Sequence, residues 1–402
     1  MQPPTPTFPT LPDQIDVADD AAWAILRACW DLPEDVTYLN HGSFGYPPRC
    51  VVEVQQFWQR VAAHNPMAMF VDHFEPQYLA VRDRLADFVG AGRGNLVLVE
   101  NATYGMNVVA RCFELGPGDE VLLNEHEYGA VKRIWQHACL RSGARLVETP
   151  IDLPVESEEH LADAVLAGAT ERTRLIVVSH VTSPSALTLP VKEICRRAAE
   201  RGIRTCIDGP HAVAMLPLDI PSLGCDYYTA SCHKWLSGPF GTGFLYVRPE
   251  LQEQIEPLVV SWGRLLPGEL ESWQQWFIWL GTRDVSAMLA LPTAIDFLES
   301  IGLERFRTRT HHLASYARAK LLELPGTTAI SPDGPSWYGP MVAVRHPYPE
   351  ALELRNRLRK VHRIEGVLSP WHGESLIRVS CHLYTQPSEI DRLVTVLRNE
   401  LG

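Results

Sequence analysis

Between residues 96 and 247, short apolar runs alternate with stretches of helical period, and this alternation restricts the fold more than any other feature. The runs are 96–99, 120–123, 145–148, 175–179, 204–207, 227–230 and 243–247. Segments 104–112, 129–142, 158–167 and 191–201 carry apolar residues at helical spacing between them. Parallel strands need crossovers long enough for a helix, and a parallel sheet buries both faces, so its strands read as unbroken apolar runs. The pattern therefore predicts an α/β fold, a mostly parallel seven-stranded sheet sandwiched by helices. From about residue 285 it changes. A long helical stretch at 286–322, strands at 340–345 and 375–380, and helices at 351–361 and 387–401 predict a smaller α+β unit. The expected division is an N-terminal arm with a short helix at 21–30 (1–37), a large α/β domain (38–285) and a small C-terminal domain (286–402).

Ligands of open α/β sheets gather at the carboxyl ends of strands, where Asn101, Glu125, His180 and Asp208 are expected here. Twenty-six residues after Asp208 (234 − 208 = 26) comes Lys234, within Ser231-Cys232-His233-Lys234-Trp235, followed by the glycine-rich segment 238–243. A strand-end aspartate, a second strand, then Ser-x-His-Lys-Trp is an arrangement that holds pyridoxal 5′-phosphate. Lysine forms a reversible imine with an aldehyde, and that cofactor serves as an electron sink for a carbanion at an amino-acid α-carbon. The sink needs a protonated ring nitrogen, which a nearby carboxylate such as Asp208 favours. Once freed, the lysine amine can serve as general base. Ser231 and His233 stand where they can reach the phosphate. Taken alone, a His-Lys-Trp triplet reads as an ordinary strand-to-loop turn, and a lone Asp after a strand as a cap. Order and spacing together set this pattern apart.

The 402 residues carry a net charge of −12 and no Lys/Arg-rich block, which argues against a nucleic-acid partner. Nine cysteines are scattered without a Cys-x-x-Cys pair, as expected of buried free thiols in a reducing compartment, and no metal site is expected. The first twenty residues are proline-rich and acidic, with neither a basic start nor an apolar core, and no run of about 18 apolar residues occurs. A cytoplasmic protein without membrane association is the expectation. Nucleotide-binding and serine-hydrolase readings fail on spacing: the glycines of 238–243 precede a strand, and Gly42-Ser43-Phe44-Gly45 is not Gly-x-Ser-x-Gly.

Nine ordered segments give the chain a wider resemblance: Asn40-His41-Gly42-Ser43-Phe44-Gly45, Asn101-Ala102-Thr103, His126-Glu127-Tyr128-Gly129-Ala130, Ser179-His180-Val181-Thr182-Ser183-Pro184, Asp208-Gly209-Pro210-His211-Ala212, Cys232-His233-Lys234-Trp235-Leu236, Ser261-Trp262-Gly263, Gly281-Thr282-Arg283-Asp284 and Ile377-Arg378-Val379-Ser380. From about Tyr38 to its C-terminus the chain resembles the class V aminotransferase family of fold-type I pyridoxal-phosphate enzymes, and within it the epimerases. The resemblance implies that Ala102, Thr103, Ser231 and His233 cup the phosphate, and that Tyr128, or else His126, stacks on the pyridine ring. It places Ser183 and His211 near the ring hydroxyl and Arg378 on the substrate carboxylate. It also implies a homodimer in which Thr282 reaches the phosphate of the partner's site. His41, in the opening turn, is expected near the substrate entrance. Ala186 and Pro210 depart from the family pattern without removing a chemical group.

The expected substrate is a small amino acid or amino-acid conjugate, with Lys234 removing its α-proton. Epimerisation is the first reading, with Tyr128 or His41 as a second acid–base group on the opposite face. Carbon–sulfur β-elimination on a cysteine conjugate is the alternative, and transamination a third. Persulfide-forming desulfuration is disfavoured, because no cysteine lies between Cys232 and Cys381 to accept sulfur.

Overall fold

All seven apolar runs form strands of one sheet, each within two residues of its expected ends. The computed structural model describes residues 3–12, 14–265 and 268–401. After a two-residue strand, β1 (Thr37–Tyr38), the sheet is built from β2 (Leu96–Val99), β3 (Glu120–Asn124), β4 (Arg145–Thr149), β5 (Thr173–Ser179), β6 (Arg204–Asp208), β7 (Tyr227–Ser231) and β8 (Gly243–Val247). Their spatial order is β2-β8-β7-β6-β5-β3-β4. β8 runs antiparallel to β2 and β7, and every other pairing is parallel. All residues of β2, β3, β7 and β8 are buried, whereas edge strand β4 is mostly exposed or half-buried.

Alternate strand residues enter two separate cores, as the two-residue period of a strand requires. Val97, Val99 and Leu123 meet α4 (Ala102–Cys112) and α5 (Gly129–Ser142) on one face. Leu96, Leu98 and Leu122 share the other face's core with residues of α6 (Glu158–Leu166) and α7 (Val191–Glu200). That core also takes in α2 (Arg49–His64) and α3 (Phe74–Phe88), two long helices additional to the expected set. In α2 the buried residues are Val51, Val54, Trp58 and Val61, spaced three or four apart along one helical stripe.

A second sheet has the antiparallel order β12-β13-β10-β9, from β9 (Thr328–Ala329), β10 (Met341–His346), β12 (Val367–Trp371) and β13 (Glu374–Ser380). The remaining strand, β11 (Ile364–Glu365), pairs in parallel with β1. The opening segment thus sides with the C-terminal half rather than entering the large sheet, and Asn40 bridges to Ser380 at the end of β13. Helices α10 (Ala351–Lys360) and α11 (Pro387–Leu401) match expectation closely. Two expected helices differ. The stretch 286–322 is two helices, α8 (Ser286–Ile301) and α9 (Leu303–Leu322), bent by 79° at Gly302, whose φ of +94° suits glycine and breaks the helical ladder. The segment 21–30 is a short α1 (Asp20–Ala24) followed by a 3₁₀ turn. α8 packs against α2 and α3, so it is shared between the two halves of the chain. Among the described residues, no single helix is long and apolar enough to cross a membrane.

The turn after β1 lies against the loop that follows β7. Gly45 N–H donates to the His233 carbonyl at 2.9 Å. A Cβ on Gly45 would stand 2.6 Å from His41 Nε2 and 2.7 Å from the carbonyl oxygens of His233 and Lys234. Two of those neighbours are backbone and cannot swing away. Gly45→Ala should therefore cost about 1–3 kcal/mol of stability, read from its urea unfolding midpoint. An unchanged midpoint would show that the two loops are not locked together.

Candidate active site

β6 and β7 are neighbouring parallel strands in which Asp208 pairs with Thr229, so their carboxyl ends open into the same space. Asp208 closes one strand and Ser231 the other, and Lys234 follows three residues later. The loop from 232 to 242 folds on itself through Cys232 N–H to the Thr242 carbonyl at 2.9 Å and Ser237 N–H to the Lys234 carbonyl at 2.8 Å. A cavity of about 370 Å³ sits here, lined by Asp208, His211, Ser231, His233 and Lys234 with Ala102, Thr103, Tyr128 and Ser183. Nine predicted residues thus converge on one space.

Asp208 is buried, and no hydrogen-bond donor reaches its carboxylate among the described residues. Burial pushes its pKa up to about 6, and the Lys234 charge opposes that rise. Burial likewise pulls the Lys234 amine down to about 7; Asp208 resists the shift and the Arg378 charge adds to it. Lys234 Nζ lies 3.0 Å from His211 Nε2. His211 is held well below the usual histidine range by burial and the nearby cations, and its Nδ1 is buried without a partner. At neutral pH the amine is therefore partly uncharged beside a neutral imidazole.

The opposite wall is the start of α4. Asn101 caps it, its Oδ1 accepting from Tyr104 N–H at 2.9 Å, and Ser231 Oγ accepts from Ala102 N–H at 2.9 Å. The Thr103 N–H, in the first turn, has no intrahelical acceptor. The His233 ring, which lines the same cavity and is kept neutral by burial with a pKa lowered to about 4, has a buried Nδ1 without a partner. Free donors at a helix N-terminus suit an anion such as phosphate. Tyr128 stands before α5 and is 52% exposed, its ring available for stacking. His126 faces away, its Nδ1 2.6 Å from Ser185 Oγ and its Nε2 3.1 Å from the Ile151 carbonyl.

Arg378, on β13, is 2% exposed and has no carboxylate partner among the described residues. Its Nη1 donates to the Ser183 carbonyl and, at 3.3 Å, to Ser183 Oγ; its Nη2 donates to Asn40 Oδ1 at 3.1 Å and Ser43 Oγ at 2.8 Å. Its Nε is buried without a partner. Burying a guanidinium without a counter-ion is costly, so the site is built to receive a carboxylate. Ser183 thereby orients Arg378 while also lining the cavity.

Two expectations change, for His41 and for two of the strand-end residues. His41 is fully buried and lines no part of the cavity. Its Nε2 lies 3.0 Å from the Lys234 carbonyl, its Nδ1 2.8 Å from the Tyr384 hydroxyl, and its ring stacks on His382 at 3.9 Å. It positions the lysine loop instead of meeting substrate, and burial holds it neutral with a pKa near about 3. Among the strand-end residues, Glu125 and His180 are committed elsewhere: Glu125 to Ile151 N–H and His372, and His180 to the Tyr228 hydroxyl at 3.0 Å. Thr282, expected to serve the partner's site, is exposed and lies off this chain's own cavity. One residue was missed. Glu127 is buried beneath the site, accepting from Ser179 N–H at 2.8 Å and Ser179 Oγ at 2.6 Å, and burial aided by Asp208 pushes its pKa up to about 7. Its sequence signals were an acid three residues past the end of β3 and a place within the segment His126-Glu127-Tyr128-Gly129-Ala130, neither of which marks burial under the site.

Comparison with known proteins fits this geometry. The family model described as Aminotransferase class-V matches residues 37–393. Isopenicillin N epimerase of Streptomyces clavuligerus is 35% identical over 391 residues, covering 94% of this chain and 98% of its own. This chain belongs to the class V aminotransferase family. An L-cysteine desulfhydrase of Arabidopsis thaliana is 29% identical, covering 89% of this chain and 86% of its own. A solved structure of a C-DES mutant, with glycine covalently linked to its PLP cofactor, matches with a TM-score of 0.79 at 23% identity, covering 91% of this chain and 97% of that one. The fold is that of fold-type I enzymes, and the cofactor is pyridoxal 5′-phosphate.

The residues present fit that group: an amine for its aldehyde, an unpaired carboxylate for its ring nitrogen, and for its phosphate the Thr103 N–H and the unpartnered His233 ring nitrogen, whereas the Ala102 N–H is already taken by Ser231. When bound, it supplies an electron sink for charge developing at an amino-acid α-carbon. Cofactor capture needs the uncharged amine. Its rate with the apoprotein should rise with pH to a plateau with a midpoint near about 7, rather than climbing toward the ordinary lysine value of about 10.4. Stopped-flow absorbance measures this, and a midpoint near the ordinary value would mean that Lys234 is not desolvated.

Proposed function

We propose that the protein acts at the α-carbon of an amino acid or amino-acid conjugate in the manner of isopenicillin N epimerase. The carrying observation is the combination of a desolvated Lys234 amine with a buried Arg378 that lacks a counter-ion, both facing substrate space. In this reading Arg378 clamps the α-carboxylate through its planar fork and Lys234 takes the α-proton. Inversion requires a proton donor on the far side, and Tyr128 is the exposed phenol lining the cavity. The similarity to isopenicillin N epimerase over nearly the whole chain supports the same reading.

Carbon–sulfur β-elimination is the second reading, favoured by the resemblance to L-cysteine desulfhydrase and sharing the same first proton removal. Transamination ranks third. Sulfur transfer to a protein thiol is disfavoured, since none of the nine cysteines lines the cavity. Cys381, nearest in sequence to Arg378, is fully buried, and burial pushes its thiol far above the usual range.

Incubation in heavy water with a panel of amino acids and cysteine conjugates decides between these chemistries. Solvent deuterium at the α-carbon with inversion marks an epimerase, and pyruvate release marks a lyase. Lys234→Ala should abolish both; near-normal exchange would dismiss its role as base. Tyr128→Phe should reduce inversion by about 10²–10⁴ while exchange persists. Equal loss of both would assign Tyr128 to cofactor binding alone.

The assembly is read as a homodimer in which Thr282 of one protomer completes the partner's phosphate site. Thr282 is exposed and off its own cavity, and Phe240, Val259, Val260 and Trp262 are also exposed. Apolar surface of this kind is covered in stable assemblies. Sedimentation should give a dimer, and a cofactor-loaded monomer would contradict the role of Thr282.

A further inference from the structure

Arg378 lacks a counter-ion, yet the protein itself already occupies most of its fork. A guanidinium carries two N–H groups on each Nη and one on Nε. Nη1 makes two contacts to Ser183, and Nη2 donates to Asn40 Oδ1 at 3.1 Å and to Ser43 Oγ at 2.8 Å. Nε is left without a partner. A carboxylate held bidentately needs two parallel N–H groups. Approached end-on the pair is Nη1 with Nη2, and approached side-on it is Nε with Nη2. Either way Nη2 is needed, so a bond to Asn40 or Ser43 must be given up. Ser43 lines the cavity around Lys234 and Asn40 does not, so Ser43 is the acceptor that an incoming carboxylate meets.

Both acceptors belong to the opening turn, residues 40–45, and the same turn holds the lysine loop. His41, two residues before Ser43, has its Nε2 3.0 Å from the Lys234 carbonyl. A carbonyl only accepts, so Nε2 carries the proton and Nδ1 accepts from the Tyr384 hydroxyl at 2.8 Å. Gly45, two residues after Ser43, donates its N–H to the His233 carbonyl at 2.9 Å. Between them Gly42 is wedged tightly: a Cβ there would stand 3.0 Å from Ser380 Oγ and 3.1 Å from the Trp235 ring, and Trp235 directly follows Lys234. A turn packed this closely moves as a unit rather than yielding at one residue.

We infer that the opening turn is a relay between the carboxylate site and the lysine. A carboxylate arriving at Arg378 displaces Ser43, and the turn passes that displacement through His41 and Gly45 to the lysine loop. Lys234 thereby responds to an occupied carboxylate site, which favours substrates with a free α-carboxylate over amines that lack one. His41 acts in this as a positioning residue. The inference rests on the reading of Arg378 as the clamp for the α-carboxylate.

The test uses the cofactor-loaded enzyme and propionate, a carboxylate without the amine needed to react at Lys234. Affinity is read by titration calorimetry, and the state of Lys234 by the cofactor's absorbance band. Propionate should bind and shift the band. Ser43→Ala should bind it about fivefold more tightly, because one ordinary hydrogen bond no longer has to be given up. His41→Phe should still bind propionate but lose most of the band shift. Should that variant not fold, Tyr384→Phe, which removes only the hydroxyl that holds His41, should show a reduced shift. Binding without a band shift in the natural enzyme, weaker binding to Ser43→Ala, or a shift of full size in the His41 or Tyr384 variant would overturn the relay. Propionate affinity unchanged in Arg378→Ala would instead sink the reading of Arg378 as the carboxylate site.

Discussion

The carboxylate of Asp208 and the amine of Lys234 line one largely buried cavity, and each is tolerable there because of the other. Burial disfavours both charged forms, while their attraction favours both, so the amine is pulled down to about 7 and the acid raised to about 6. An amine left partly uncharged is a nucleophile and a base, whereas an exposed lysine would be neither at neutral pH. The acid, accepting no bond from the protein, keeps its oxygens for a ring nitrogen. The remaining features of the site either hold this pair in place or supply what it reacts with.

Holding the pair requires both halves of the chain. The lysine loop, which is the β7–β8 connection, is folded by its own backbone hydrogen bonds and held from outside by the opening turn, through His41 and Gly45. That turn is in turn tied to the second sheet by β1–β11 pairing and the Asn40–Ser380 bridge. Arg378 reaches back from β13 to Asn40, Ser43 and Ser183. The unsatisfied buried polar atoms are informative for the same reason. His211 Nδ1, His233 Nδ1 and Arg378 Nε belong to residues of one site, which is expected where groups are kept free for a ligand.

Much of this was legible in the chain. Unbroken apolar runs located the seven strands because a parallel sheet has no solvent face to impose alternation. The Asp208 to Lys234 interval was readable because it spans one crossover and one strand, a length that local rules constrain. Helices α2 and α3 were legible in principle from their apolar spacing but fall outside the strand–helix alternation that guided the prediction. The break at Gly302 was hidden because a single glycine is compatible with a continuing helix until packing bends it.

His41 and His126 show where a sequence stops speaking. Each is a histidine beside a glycine-rich or strand-end turn, and nothing local distinguishes a ring facing substrate from one facing the core. Packing decided that His41 stacks on His382 and Glu127 lies beneath Asp208, since those neighbours are more than eighty residues away or more in the chain. By itself the sequence determined the strand-and-helix order, the aldehyde-binding lysine and its acid, because these follow from hydrophobic period and side-chain chemistry. Only the tertiary structure decided which polar groups face the cavity and that Arg378 is buried without a counter-ion among the described residues. Those outcomes depend on contacts between distant segments, and a contact between distant segments leaves no local trace.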